Sequence, residues 1–317
     1  MELLIYETIK YKKEVNMNLK HCFFLLFGLS LAFLTCNPSN TDSGNTNTGT
    51  GSGNTNTGTD SETPGNISTT SLDKNASGVQ TFTSNSDGNK SLTGSSYGYE
   101  MWTQGGNNNK LLWFGPNQGG GAAFRAEWNN PNDYLGRVGY YWGNGGLFTT
   151  YKNIYADFNY TRSGRSTAGN YSYIGIYGWS RNPSASKDEE KLIEYYIVED
   201  WFGNQWQDDT SPMGTSTTGG SEVGSFTLDG ATYKVIKNVR NNADSIDGKN
   251  TFTQYFSIRQ TLRKTGTISV TEHFKKWDAL GMKLGNMYEC KFLVEAGGGT
   301  GWLELTWLKF SQENSPR

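Results

Sequence analysis

The sequence is short of the residues on which most metal-binding and nucleophilic chemistry relies. Its 317 residues include 3 Cys, 2 His and 7 Pro. Cys22 and His21 fall in an apolar N-terminal segment that ends at Cys36, so the remainder holds only Cys290 and His273. A single Cys builds no disulfide framework, and one His with one Cys builds no zinc site. A Ser-His-Asp triad would have to use His273, and no Ser- or Cys-bearing nucleophile motif accompanies it. Charge of one sign is lacking too. The net charge is −2 with no basic run, which argues against a nucleic-acid partner. No glycine-rich phosphate loop leads into a helix; the Gly-rich stretches sit between apolar runs and read as turns. What is present is 40 Gly and 14% aromatic residues, with few Leu or Ala runs. That composition predicts an all-β protein with many turns. The chemistry left is that of carboxylates, which calls for no cofactor and no metal.

The chain divides into three by texture. In residues 1–36, Lys20 and His21 precede an apolar run from Cys22 to Leu34. The run is short for a bilayer span and suits a signal h-region, with Met17 the expected start. Phe33-Leu34-Thr35-Cys36 is similar to a bacterial lipoprotein box, which would put a lipid anchor on Cys36; ordinary signal cleavage nearby is the plainer alternative. Export is expected, either free outside the cell or lipid-anchored at a bacterial surface. Residues 37–78 are rich in Asn, Thr, Gly and Ser, and Asn45-Thr46-Asn47-Thr48-Gly49 returns as Asn54-Thr55-Asn56-Thr57-Gly58. With no apolar face to bury, this tract reads as a flexible tether. Residues 79–317 read as one domain, expected to be a monomer. Short apolar-aromatic runs recur there, at Gly98–Trp102, Leu111–Phe114, Ala122–Trp128, Ile154–Tyr160, Tyr171–Trp179, Ala231–Val239, Thr251–Arg263, Asn286–Glu295 and Trp302–Phe310. Turn signals such as Asp229-Gly230 and Asp247-Gly248 separate them. The pattern predicts a sandwich or jelly roll. A single helix is expected, capped by Thr271, with Phe274 and Trp277 on one face and Gly281 at its end. His273 is placed near its exposed start, in a structural role. Cys290 is expected to pack as a small buried hydrophobe.

The stretch Leu192–Asp200 is a strand of β-branched and aromatic residues with a carboxylate in its middle. Alternation puts Glu194, Tyr196 and Val198 on one face and Tyr195 and Ile197 on the other. A mid-strand carboxylate among aromatics is costly to bury unpaired, so it is either paired in the core or held at the floor of a cleft; we read it as a cleft residue. In Asn286–Glu295, Cys290, Phe292 and Val294 form the core face, which leaves Glu295 on the opposite face before Gly297-Gly298-Gly299. Two carboxylates facing one groove, one protonated and one ionised, suit glycoside hydrolysis. Glu100, Glu127, Glu199 and Glu304 also lie in strands and are expected mostly on solvated faces. Residue types alone do not pair Glu194 with Glu295.

The motifs Tyr177-Gly178-Trp179, Leu192–Glu199, Phe252-Thr253-Gln254-Tyr255 with Ser257-Ile258-Arg259-Gln260, and His273-Phe274 with Trp277 are specific in combination. Through them Val79–Phe310 resembles glycoside hydrolase family 11, the endo-β-1,4-xylanases. The resemblance implies a β-jelly roll of two packed, curved antiparallel sheets with a concave cleft and one short helix. It implies a retaining endo-β-1,4-xylanase acting on xylan or xylo-oligosaccharides, with Glu194 as nucleophile and Glu295 as acid/base, roughly 5–5.5 Å apart. By the same resemblance Tyr177, Tyr196 and Gln254 contact the nucleophile or the bound sugar. Trp102 is implied as a stacking platform, and Arg240 as the base of a mobile hairpin, the thumb, with Ser245 and Ile246 at its tip. Asp133 falls where the family places a residue beside the acid/base, so the two are expected to titrate as a pair with an acidic optimum. The chain departs from the family pattern in several places. Asp244 replaces a Pro before Ser245, which predicts a looser thumb. Ala296-Gly297 replaces Gly-Tyr and Phe256 replaces a Trp. Insertions are read at about 184–191 and 205–220. The alternatives are an endo-β-glucanase of similar fold and a non-catalytic glycan-binding surface protein.

Overall fold

The computed structural model describes residues 67–68, 70–86, 88–166, 172–202 and 219–317. The structure is built from strands, as the short apolar-aromatic runs and intervening turns require. One sheet joins β1 (Gln80–Phe82), β4 (Lys110–Trp113), β5 (Phe124–Asn129), β16 (Thr300–Glu313), β7 (Asn153–Gly164) and β13 (Thr265–Ile268), in that spatial order. The other runs β10 (Ser221–Leu228), β11 (Ala231–Ser245), β12 (Gly248–Arg259), β9 (Leu192–Asp200), β8 (Ile174–Arg181), β15 (Glu289–Ala296), β6 (Asp133–Tyr141), β3 (Gly98–Gln104), β2 (Lys90–Ser91), with β14 (Asn286–Met287) beside β8. The expected all-β jelly roll is therefore present.

One pairing departs from the expected antiparallel sheets. β12 lies parallel to β9, with Gln254 beside Glu194 and Phe256 beside Tyr196. A hairpin cannot join parallel neighbours; the chain leaves β9, crosses through the β10–β11 hairpin and returns as β12. β6 is absent from the expected runs because two of the residues around its middle, Gly136 and Gly139, are poor strand formers. Gly139 is required by close approach: a Cβ there would sit 2.5 Å from the Cys290 carbonyl oxygen and 2.7 Å from the Lys291 Cα.

Alternation decides what is buried where. From β9, Ile193, Tyr195 and Ile197 enter the core between the sheets, and Leu192, Tyr196 and Val198 enter a second apolar cluster on the other face. From β15, Cys290, Phe292 and Val294 join the first cluster and Leu293 the second. Cys290 is fully buried, as expected, and burial pushes its thiol up to about 12. Glu199 and Glu100 depart from the expected solvated faces. Glu199 is on the core face of β9, has no exposed surface, accepts the Tyr233 hydroxyl at 2.6 Å and pairs with Arg263. The Glu100 side chain is only 12% exposed.

The helix α1 (Val270–Ala279) packs Val270, Phe274 and Trp277 inward. Trp277 donates its indole N–H to Ser257 Oγ at 2.8 Å. Thr271 does not cap it. The helix starts two residues earlier than a Thr271 cap implies, after Ser269, and Thr271 Oγ1 accepts the Ile154 N–H at 2.8 Å, fastening the helix to β7. The end is as expected: Gly281 has φ 78°, and the Met282 N–H returns to the Trp277 carbonyl at 2.9 Å. His273 is not at an exposed start. It is fully buried against Tyr233, Phe226 and Trp277, and burial drives its imidazole well below the usual range, with Arg263 and Arg259 adding to the effect. Contacts with the domain begin ahead of residue 79. Leu72 packs on the core, and the Asp73 N–H donates to Gln118 Oε1 at 2.8 Å. Among the described residues no helix is long and apolar enough to cross a membrane. The expected export segment and most of the tether lie outside the described residues.

Candidate active site

The concave face of the larger sheet carries a cleft of about 660 Å³. All ten residues singled out from the sequence line it: Trp102, Asp133, Tyr177, Glu194, Tyr196, Arg240, Ser245, Ile246, Gln254 and Glu295. The register explains how. Glu194 of β9 lies beside Gln254 of β12 and opposite Trp179 of β8, and Tyr196 lies opposite Tyr177. Glu295 of β15 lies opposite Leu135 of β6, which lies opposite Trp102 of β3. Alternate residues of six neighbouring strands therefore share one floor.

The two glutamates sit in different surroundings. Glu194 is 6% exposed and fully satisfied on both oxygens. Its Oε1 accepts the Tyr177 hydroxyl at 2.8 Å and the Tyr196 hydroxyl at 3.1 Å, and its Oε2 accepts the Gln254 Nε2–H at 2.6 Å. Burial raises its carboxyl above the ordinary range; the three donors and the Arg240 charge pull it back. The two phenols are held well above their usual value by burial and then by the Glu194 charge, so they stay protonated and donate.

Glu295 is 5% exposed, and its Oε2 meets no hydrogen-bond partner among the described residues. Burial raises its carboxyl well above the ordinary range, and the negative charges of Asp133 and Glu194 add to the effect. Asp133 is pushed to about 7, first by burial and then by Glu194, against the opposing Tyr134 N–H and Arg240 charge. Its Oδ1 is likewise unpartnered among the described residues. The Asp133 charge therefore bears directly on the Glu295 carboxyl.

The thumb is the β11–β12 hairpin. Ser245 faces Gly248 across a two-residue loop, Ile246-Asp247, and Gly248 takes φ 79°. Ser245 Oγ fixes the loop by accepting the Asp247 N–H at 3.1 Å and donating to the Gly248 carbonyl at 2.6 Å. Ile246 and Trp102 both pack on the concave-face cluster. Asp244, expected to loosen the hairpin, faces Lys249 across it in an ion pair at 2.8 Å, although both groups are well exposed. A second pair, Arg181 to Asp247 at 2.7 Å, ties the loop to the end of β8. The inserted 184–191 stretch supports the thumb's base: Glu190 pairs with Lys237 of β11 at 2.7 Å, and the Glu189 carbonyl accepts the Thr253 hydroxyl at 2.7 Å. The expected insertion at about 205–220 lies outside the described residues up to 218. Phe256 stacks on Tyr196, ring centroids 4.6 Å apart.

The cleft also holds residues that the sequence reading did not select: Glu100, Arg137, Tyr173, Trp179 and Asn238. Alternation from Asp133 through Leu135 would have placed Arg137 on the cleft face had β6 been recognised as a strand.

Residues 94–306 match the family model of the glycosyl hydrolases family 11. The chain belongs to that family. It is 41% identical over 232 residues to endo-1,4-beta-xylanase C of Fibrobacter succinogenes, covering 72% of this chain and 34% of that protein. It is 42% identical over 222 residues to endo-1,4-beta-xylanase S20 of Neocallimastix patriciarum, covering 69% of this chain and 60% of that protein. This family 11 chain thus spans from about a third to three fifths of the length of these relatives. Among solved structures, wild-type ENZbleach xylanase superposes with a TM-score of 0.73 at 62% identity, covering 78% of this chain and 90% of that one.

Proposed function

We propose that this family 11 protein is a retaining endo-β-1,4-xylanase that cleaves internal linkages of xylan. The observation that carries the reading is the contrast between two buried carboxyls in one cleft. Glu194 accepts three hydrogen bonds, whereas Glu295 has an oxygen without a partner among the described residues and has anionic neighbours. Environments that push two carboxyls apart assign the roles of base and acid. Glu194 ionises first and acts as nucleophile; Glu295 keeps its proton and acts as acid.

A xylan chain lies along the concave sheet, stacked on Trp102 and covered by the thumb at Ser245 and Ile246. Arg240, Tyr177, Tyr196 and Gln254 orient the sugar and the nucleophile. A Glu194 oxygen bonds to the anomeric carbon as the glycosidic C–O bond breaks, and Glu295 delivers its proton to the departing oxygen. Glu295, now ionised, takes a proton from water, which attacks the same carbon and releases Glu194. Two displacements restore the starting configuration. Asp133 sets how readily Glu295 gives up its proton.

Residues 1–36 direct export, residues 37–78 tether the domain, and Cys36 carries a lipid that holds it at a bacterial surface. The enzyme works as a monomer. Reducing-sugar release by the purified chain, assayed in parallel on xylan, carboxymethylcellulose and mixed-linkage β-glucan, tests the reading. Xylan hydrolysis supports it. Binding without release, or release from glucans alone, contradicts it.

A further inference from the structure

At and beside the cleft floor lies more buried charge than glycosidic chemistry needs. Glu289 and Lys291 of β15 have no exposed surface, and Arg137 of β6 is 3% exposed. Lys291 Nζ donates to Glu289 Oε2 at 2.7 Å, Arg137 Nε lies 3.3 Å from Glu289 Oε1, and Arg137 Nη2 donates to Glu100 Oε2 at 2.7 Å. Two acids and two bases balance. Burying such a group is costly, and apolar residues of similar volume often stabilise a fold as well or better. The network therefore calls for a use beyond stability.

Its position supplies one. The Arg137 guanidinium reaches across β15 and lies over the Tyr177 ring, 4.8 Å from the centroid. The Tyr196 ring meets Tyr177 edge-on at 4.9 Å, and Trp179 donates its indole N–H to the Tyr177 oxygen at 2.5 Å. Tyr177 in turn donates to Glu194. On the far side, Gln254 donates to Glu194 and accepts from Asn238 Nδ2 at 2.8 Å. Side chains from six of seven consecutive strands, with β15 passed over, form an unbroken series: Glu100, Arg137, Tyr177, Glu194, Gln254, Asn238. Glu194 sits in the middle of it.

We propose that Arg137 is a positioning residue for Glu194. The guanidinium, fixed by Glu100 and Glu289, braces the Tyr177 ring so that its hydroxyl is held on the carboxylate. A planar cation over an aromatic face suits this task better than an ammonium. Small displacements at a reacting group cost large factors in rate, about 10²-fold for 1 Å. The inference rests on the hydrolase reading above.

The test compares the wild type with Arg137→Met/Glu100→Gln and with Arg137→Lys. The double variant leaves Glu289 paired with Lys291, so no net charge is stranded. The groups that face Glu194 and shape its titration are Tyr177 of β8, Tyr173 just before that strand, Tyr196 of its own strand, Arg240 of β11, Glu295 of β15 and Asp133 of β6. All are retained. We expect kcat on a xylo-oligosaccharide to fall at least about tenfold with KM changed less than about threefold, as interactions specific to the transition state require. We also expect the acid limb of the pH profile to move upward, because a slack Tyr177 donor stabilises ionised Glu194 less. Arg137→Lys should fall between the two. A folded double variant with unchanged kcat and an unmoved acid limb, whatever its melting temperature, overturns the proposal. If the double variant does not fold, the same two readings on Arg137→Lys decide: wild-type values overturn it. A wild-type chain that hydrolyses no xylan overturns the underlying hydrolase reading as well, and the two failures are thereby distinguished.

Discussion

Replacing Asp133 by Asn should carry the alkaline limb of the activity profile to higher pH. Asp133 is held at about 7 in the folded protein, against an ordinary aspartate carboxyl of 3.8. Below that value the pair with Glu295 is fully protonated, and Glu295 can release its proton to the leaving oxygen. Above it, one proton is divided between two carboxyls, and an ionised Asp133 retains it by attraction. At pH 8, one unit above about 7, roughly one molecule in ten keeps the second proton, and each further unit costs about another tenfold. An amide at position 133 cannot ionise, so the variant keeps a single acid and loses this limb. The ratio of variant to wild-type kcat/KM should therefore climb about tenfold per pH unit above about 7 until Glu295 itself ionises. The same shift bears on stability. A folded-state carboxyl raised above its unfolded value binds more protons when folded, so stability falls as pH rises from about 3.8 to about 7. The difference of about three units corresponds to at most ~4 kcal/mol, which the Asp133→Asn protein would no longer lose. The assay is initial rate on soluble xylan from pH 4 to pH 10, with melting curves across the same range. Superimposable alkaline limbs, or a limb that moves down in the variant, would refute the reasoning.

Glu194→Gln should reduce turnover by on the order of 10⁴-fold. It should also melt no lower than the wild type at pH 7, since it removes a buried charge whose ionisation the fold disfavours; a variant with wild-type-like xylan hydrolysis would remove the nucleophile assignment. Asp247→Asn breaks the Arg181 tie at the thumb loop. It should raise KM severalfold with little change in stability, because exposed pairs contribute roughly 0–1 kcal/mol; a large drop in melting temperature with constant KM would show the pair to be structural. Cys290 should stay silent to thiol reagents at pH 8 until the protein unfolds, and stoichiometric labelling of the native state would contradict its burial.

The legible part of this molecule was the part governed by alternation and local turn chemistry. Period-two reading of Leu192–Asp200 and Asn286–Glu295 assigned the correct faces to Glu194 and Glu295. Asp-Gly pairs marked two of the turns correctly, and at the first of them Asp229 and Gly230 take φ 49° and 69°. What local reading missed depends on partners distant in sequence. Gly139 belongs in a strand only because another backbone passes within reach of it. The parallel pairing of β9 with β12 is set by the crossover between them. His273 carries no sign of its burial, which follows from which side of α1 meets Phe226 and Tyr233. Asp244 on its own signals a loss of stiffness, because its partner Lys249 becomes a neighbour only once the hairpin closes. The pairing of the two glutamates came from family resemblance, since strand alternation fixes a face but not which strands are adjacent.

A mechanism-based xylobioside bearing fluorine at C2 and a good leaving group forms the glycosyl-enzyme faster than water removes it, and so marks the attacking side chain. Peptide mass spectrometry of the inactivated protein should find one xylobiosyl unit per chain, on Glu194. A label on Glu295 or Asp133, or catalysis that proceeds with inversion and leaves no adduct, would contradict the assignment of Glu194 as nucleophile and Glu295 as its acid/base partner.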